Sequence, residues 1–201
     1  SSAASDVYKR QVVIEKRDDL VEGDGSTERM EVKSGACNEP SVVRWRLDVY
    51  SGLKELVVGD DCLQHVSELV LSGFARLESV EIGMRCFSSS FDGEMEVSGC
   101  GALKRVVVGD ECFSEGSGCF VLRECCGIRE LKIGNKSFPL YSCCVVEANE
   151  SLALFDVSCW SFVRSSLVLR DLEELECVKI GSGSFEKSLH SVIESVGWSV
   201  G

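Results

Sequence analysis

The stretch Leu53-Lys-Glu-Leu-Val-Val-Gly59 decides the fold, because copies of it recur along the rest of the chain. The copies are Leu77-Glu-Ser-Val-Glu-Ile-Gly83, Leu103-Lys-Arg-Val-Val-Val-Gly109, Ile128-Arg-Glu-Leu-Lys-Ile-Gly134, a degraded Leu152-Ala-Leu-Phe-Asp-Val-Ser158, and Leu175-Glu-Cys-Val-Lys-Ile-Gly181. Their first residues are 24, 26, 25, 24 and 23 positions apart. A repeat of this length indicates a solenoid, in which each rung buries its apolar sides against the rungs beside it.

Each copy leads into a corner and then into a second apolar stretch. Four residues after the copy comes a large apolar side chain: Leu63, Phe87, Phe113, Phe138, Phe162 or Phe185. The second stretch alternates, with apolar residues at Leu69, Met95, Phe120, Cys144 and Leu167 and two positions later at Leu71, Val97, Leu122, Val146 and Leu169. Alternation with period two is typical of a strand with one buried face. We therefore predict an all-β solenoid of leucine-rich-repeat type, with two parallel sheets built from stacked rungs of 23–26 residues.

The glycine that ends most copies has two interpretations. It permits either a positive φ or a close approach of the next rung. Ser158 replaces it in the fifth copy, so we expect that rung to be locally irregular.

The rungs divide the chain into three parts. Residues 53–201 form the six-rung solenoid, and residues 12–52 form irregular strands or decayed rungs continuous with it as one domain. In the latter part, Met30–Val32 and Val43–Val49 alternate like strands, and the polar stretch 18–28 is expected to be a loop. Residues 1–11 resemble a translated adapter from transposase-based sequencing libraries. We therefore expect them to be non-native and the native start of the chain to be missing.

The repeat resembles the BspA-like class of leucine-rich repeats, in degenerate form. The similarity covers the Leu-x-x-Val-x-Ile opening, the phenylalanine corner, and a cysteine three residues before the next copy at Cys100 and Cys125. The chain differs in having Gly where that family commonly has Pro. The resemblance implies a non-enzymatic surface protein that binds proteins or mediates adhesion.

Composition narrows the possible partners. The net charge of −12 disfavours nucleic acid, since neutralising phosphates requires clustered Lys and Arg. No apolar run approaches the roughly 20 residues needed to cross a bilayer, so we expect no direct membrane insertion. The compartment is open: free thiols would favour the cytoplasm, whereas the family resemblance implies the cell surface.

The 12 cysteines are interpreted by their positions in the repeat. Cys62, Cys86 and Cys112 precede the corner residue, and Ser137, Ser161 and Ser184 take their place in later rungs. This exchange indicates a small packed side chain and not a metal ligand. A zinc site is not expected, because the chain has no Cys-x-x-Cys. Cys119 and Cys143 fall at equivalent positions of neighbouring rungs, close enough for a disulfide, although we expect two free thiols.

The outward side chains of the first sheet are the candidate partner-binding face. One column is Val57, Glu81, Val107, Lys132, Asp156 and Lys179, and another is Lys54, Glu78, Lys104 and Arg129, continued by Ala153 and Glu176. Lys132, Asp156 and Lys179 alternate in sign, which predicts cross-strand ion pairs. The alternative is a solvated face with incidental ion pairs. On the second sheet, Val70, Val121, Val145 and Val168 also point outward, which hints at coverage by another surface but also fits the preference of valine for strands.

Catalytic residues are not evident. His65 and His190 are about five rungs apart, and no nucleophile and base are brought together. Asp60-Asp61 and Asp110-Glu111 follow strand-end glycines, where turn residues are commoner than cation ligands. We therefore expect a protein-interaction module that is not an enzyme and has no cofactor or metal. The alternatives are a structural spacer in a larger surface protein and a cysteine-based metal- or redox-responsive protein.

Overall fold

The structure is a computed structural model that describes residues 10–21, 23–89 and 93–196. Within these residues the chain is an all-β solenoid of about seven turns, and a 3-10 helix at Arg17–Val21 is its one helical element. Each turn contributes a strand to each of two parallel sheets, except near the N-terminus, where only the first sheet is formed. The predicted all-β solenoid with two parallel sheets is confirmed.

The first sheet has eight strands among the described residues. They are β1 (Gln11–Ile14), β2 (Arg29–Val32), β3 (Glu55–Val58), β5 (Ser79–Ile82), β7 (Arg105–Val108), β9 (Glu130–Ile133), β11 (Leu154–Val157) and β13 (Cys177–Ile180). The second sheet has six: β4 (Glu68–Ser72), β6 (Glu94–Ser98), β8 (Cys119–Arg123), β10 (Cys143–Glu147), β12 (Ser166–Leu172) and β14 (Ser191–Val196). Each pairs with the equivalent strand one turn away, as an alternating pattern requires if the same face is to be buried in every rung.

A ladder of phenylalanine rings fills the corners between the two sheets. Phe87, Phe113, Phe138, Phe162 and Phe185 stack in order, with ring centroids 4.6, 4.7, 4.9 and 5.4 Å apart and nearly parallel planes. The first four are buried, and Phe185 is half-buried because no further rung covers it within the described residues. The same lack of a cover leaves Ile180 and Ile193 of the last turn 45% and 48% exposed.

The backbone at these corners is left-handed. The six corner residues, from Leu63 to Phe185, have φ between 51° and 56°. The left-handed backbone conformation costs a residue that has a side chain on the order of 1–3 kcal/mol. In return, the chain changes direction at the corner while the phenylalanine ring stays in the core. The loss is offset by burial of the ring, which is worth roughly 1.5–3 kcal/mol.

The strand-end glycines serve close approach and not positive φ. Gly83 and Gly109 are absent from the positive-φ residues among those described. A Cβ on Gly83 would lie 2.7 Å from the Gly59 carbonyl carbon, and one on Gly109 would lie 2.6 Å from the Gly83 oxygen. The expected irregularity at Ser158 is not found, since β11 pairs in unbroken register with both β9 and β13.

The N-terminal part is partly as predicted. Met30–Val32 lies in β2, but residues 43–49 do not form a strand. The amide of Ser67, just before β4, donates to the carbonyl of Val43. The side chains of Trp45 and Leu47 lie in the core. The expected loop 18–28 begins instead with the 3-10 helix, which buries Leu20. The predicted adapter segment lies mostly outside the described residues, although Gln11 starts β1.

Candidate functional site

The outward side chains of the eight-stranded sheet form a regular column. The register joins Val57 to Glu81, Glu81 to Val107, Val107 to Lys132, Lys132 to Asp156 and Asp156 to Lys179. Glu31 of β2 and Val13 of β1 extend it by two rungs, which the sequence alone did not indicate. The register therefore brings the candidate residues of the first column together on one face.

The second column runs along the entry to the same strands. The amide of Glu78 donates to the Lys54 carbonyl at 2.7 Å, that of Lys104 to Glu78 at 2.8 Å, and that of Arg129 to Lys104 at 2.8 Å. These residues therefore stack in the order expected. Lys54 is half-buried and the other three are exposed.

Ion pairs cover much of this face, but not all in the predicted pairs. Lys179 lies 3.8 Å from Asp156, as alternation of sign predicts. Lys132 instead contacts Glu130 of its own strand, and Arg105 contacts Glu81. Exposed pairs of this kind contribute about 0–1 kcal/mol each.

The six-stranded sheet carries the valine column. Val70, Val121, Val145 and Val168 point outward, as expected, with Glu96 interrupting the column between β4 and β8. Val192 of β14 continues it. Val70 is 41% exposed and the other three predicted valines are half-buried.

A disulfide joins the two neighbouring rungs beside that column. Cys119 and Cys143 are ladder partners in β8 and β10, with Cα atoms 4.9 Å apart, and their sulfurs are bonded. The expectation of two free thiols is therefore wrong for this pair. Residues that pair directly on neighbouring parallel strands have Cα atoms about 4.7–4.9 Å apart. This Cα separation is within the range typical of disulfides.

Beneath the corners, the cysteine and serine positions form a hydrogen-bond ladder. Each side chain donates to a backbone carbonyl of the preceding rung: Cys86 Sγ to Gly59 at 3.0 Å, Cys112 Sγ to Gly83 at 3.0 Å, Ser137 Oγ to Gly109 at 2.8 Å. The exchange of Cys and Ser thus reflects a need for a small donor, which adds to the packing role that we inferred. A second ladder at the opposite corner uses Cys100, Cys125 and Asn149.

The thiols of Cys62 and Cys86 are not activated. Contact with the Cys112 thiol, together with burial, raises the pKa of Cys86 to about 12. Contact with Cys86, followed by burial, raises the pKa of Cys62 as well. A thiol is nucleophilic and binds metal as the thiolate. These groups therefore stay protonated near neutral pH.

We expect Ser137→Ala to lower the free energy of unfolding by about 2–3 kcal/mol, because it leaves two buried groups without partners. The Ser137 hydroxyl accepts from the Cys112 amide at 3.1 Å and donates to the Gly109 carbonyl. Ser137→Cys restores the residue type of earlier rungs and should cost less than about 1 kcal/mol. Urea unfolding measures both losses, and a loss below about 1 kcal/mol in Ser137→Ala would show that the hydrogen bonds are unimportant.

The acidic turn residues act as backbone caps. Asp60 Oδ1 accepts from the Met84 amide at 2.8 Å, and Asp110 Oδ1 from the Asn135 amide at 2.7 Å. Asp61 is held by two hydrogen bonds from Arg85, which lower the pKa of that carboxyl. These contacts give the acids a structural role in joining one turn to the next.

Metal-binding and catalytic groupings were sought in the same part of the chain. Among the described residues, no group of three or more His, Cys, Asp or Glu side chains is arranged to hold a metal ion. His65 precedes β4 and His190 precedes β14, so the two imidazoles lie at opposite ends of the six-stranded sheet. No helix in the described ranges has the length and apolar character needed to cross a membrane.

Comparison with known proteins adds no relative to this description. The chain matches no protein-family model, and neither the curated proteins nor the solved structures yield a significant match.

Proposed function

We propose that the chain is a non-enzymatic protein-interaction module whose recognition surface is the outward face of the eight-stranded sheet. The observation that carries this proposal is the unbroken register, which sets unlike side chains from successive rungs at fixed spacing on one continuous face. Solenoids commonly use such faces for binding. The repeat pattern is similar to BspA-like leucine-rich repeats, and this similarity supports a role in protein binding or adhesion.

The physical advantage of this face is that its backbone is already ordered by the strand pairing. Val57 and Val107 supply apolar contact between charged neighbours, and Glu81 and Asp156 are held by ion pairs with adjacent residues. Because the strands are fixed beforehand, binding costs less backbone entropy than it would on a loop surface. The net charge of −12 supports a protein partner over a nucleic acid.

A structural spacer is the second candidate, and the ion pairs favour it. If outward charges such as Lys132 and Lys179 are satisfied within the chain, the face needs no partner. A spacer requires only stiffness along the solenoid axis. The two candidates therefore differ in whether the identity of the outward charges matters.

The test is a charge-reversed variant, Lys132→Glu, Asp156→Lys and Lys179→Glu combined. Arg164→Glu is the control, because it changes the net charge by the same amount at an exposed residue off both sheets. In affinity capture, we expect the triple variant to lose most of a specifically captured protein that wild type and the control both retain. Equal recovery by all three chains would contradict binding by this face and favour the spacer.

A further inference from the structure

Four strands of the six-stranded sheet present a face with two regular columns. The outward residues of β8, β10, β12 and β14, called the valine face below, include one apolar and one charged column. The apolar column is Val121, Val145, Val168 and Val192, and the charged column is Arg123, Glu147, Arg170 and Glu194. Both columns lie opposite the buried side chains of the same strands.

The charged column alternates strictly in sign. Arg170 lies 3.8 Å from Glu147 and 3.1 Å from Glu194, so it bridges its two neighbours. Arg123 pairs with Glu96 at 3.0 Å. The charges along the column are positive, negative, positive and negative. When the strand order of a second copy is reversed, each positive residue faces a negative residue of that copy. The valine column beside it is unchanged by the same reversal.

From this self-complementarity we propose that the valine face binds a second copy of the chain. The twofold axis lies parallel to the strands, between β10 and β12. Arg123 then meets the partner's Glu194, and Glu147 meets the partner's Arg170. Val145 packs on the partner's Val168. Such an isologous contact closes on itself and does not propagate into fibres.

The eight-stranded sheet does not become complementary to a second copy when its strand order is reversed about the centre of the sheet. That centre lies between β5 and β7, and reversal there sets Glu31 of β2 against the partner's Asp156 of β11, which places like charges together. The proposed dimer therefore leaves the eight-stranded face free, and either proposal can fail without the other.

The disulfide supports the valine face directly. Cys119 and Cys143 are outward residues of β8 and β10 and flank the valine column. Their bond fixes two of the four strands in place before association. Fixing a surface beforehand reduces the entropy lost on binding.

The size of the face sets the expected affinity. Four strands span about 19 Å across the sheet, and five residues span about 16 Å along it. Two such faces bury about 600 Å² in total, which is below the roughly 1,000 Å² typical of specific, stable interfaces. We therefore expect a dissociation constant in the micromolar range and not an obligate dimer.

Sedimentation velocity over a concentration series tests the proposal with the whole chain. Wild type should shift from monomer to dimer at micromolar concentration. Val145→Lys should raise the dissociation constant more than about tenfold, since it buries an amine at the centre of the contact. Val107→Lys, at a half-buried valine of the other sheet, should change it less than about twofold. A monomer at all concentrations, or equal effects of the two variants, would overturn the proposal.

A charge swap tests the direction of packing. Arg123→Glu or Glu194→Arg alone should weaken the dimer about tenfold, because each breaks two symmetric pairs. The double variant should restore it. Within one chain the two residues are three strands apart, about 14 Å, so rescue cannot arise from an intrachain contact. Failure of the double variant to restore the dimer would rule out the packing of β8 against the partner's β14.

Discussion

Replacing Phe138 by alanine is expected to lower the free energy of unfolding by about 3–5 kcal/mol. The ring is fully buried and stacks on Phe113 and Phe162, with Phe120 and Tyr141 against its edges. Its removal leaves a cavity between rungs that both neighbours are too tightly held to fill. Alanine keeps the Cβ, so the cost of the left-handed backbone is retained and the loss measures packing.

The matched control is Phe185→Ala, at the same position of the last rung. That ring is half-buried and stacks on one side only, on Phe162 at 5.4 Å. We expect a loss below about 2 kcal/mol, because less apolar area returns to water. Urea unfolding followed by circular dichroism compares the two. Similar losses at the two positions would show that the fuller burial of Phe138 inside the solenoid adds nothing to stability.

Removing the disulfide should produce the second large effect. The double variant Cys119→Ser, Cys143→Ser is expected to lose about 3 kcal/mol, the chain entropy regained by an unfolded loop of this length. The two cysteines are 24 positions apart in the sequence. The control is Cys62→Ser, which places at a buried free thiol the serine that later rungs already have, and should cost less than about 1 kcal/mol.

Two measurements separate the bond from the packing of its sulfurs. A thiol reductant should lower the stability of wild type to that of the double variant, and should leave the double variant unchanged. Thiol counting under denaturing, non-reducing conditions should give ten free cysteines in wild type, those that remain outside the disulfide. Twelve free thiols, or no effect of the reductant, would contradict the bond.

Much of the solenoid could be predicted from the sequence because the same pattern of buried residues recurs in every rung. Because alternate residues of each strand are buried, every strand has apolar residues at every second position. Stacking of the rungs requires the same pattern at each turn. The positions of Leu56, Leu69 and Phe113 in the core therefore follow from spacing alone. The same reasoning places Val57 and Glu81 outward, although it says nothing of what they bind.

Where the pattern weakens, the prediction fails for identifiable reasons. Residues 43–49 alternate like a strand, but Trp45 and Leu47 are drawn into the core at the start of the six-stranded sheet. Ser158 was expected to disturb its rung, yet the pairing on both sides of β11 holds it in register. In both places the contacts between rungs override the local preference.

The sequence by itself determined the rung, its length, its two strands and the face of each strand that is buried, since these depend on which residues are apolar and how far apart they lie. Only the tertiary structure decided which of these neighbouring side chains form bonds with one another. In the structure, Cys119 forms a disulfide with Cys143, and Lys132 forms an ion pair with Glu130 and not with Asp156. The buried cysteines and serines donate hydrogen bonds to backbone carbonyls of the preceding rung. These contacts depend on ångström-scale lateral positions and on energies of about 1 kcal/mol or less. A one-dimensional pattern of apolar residues does not encode differences that small.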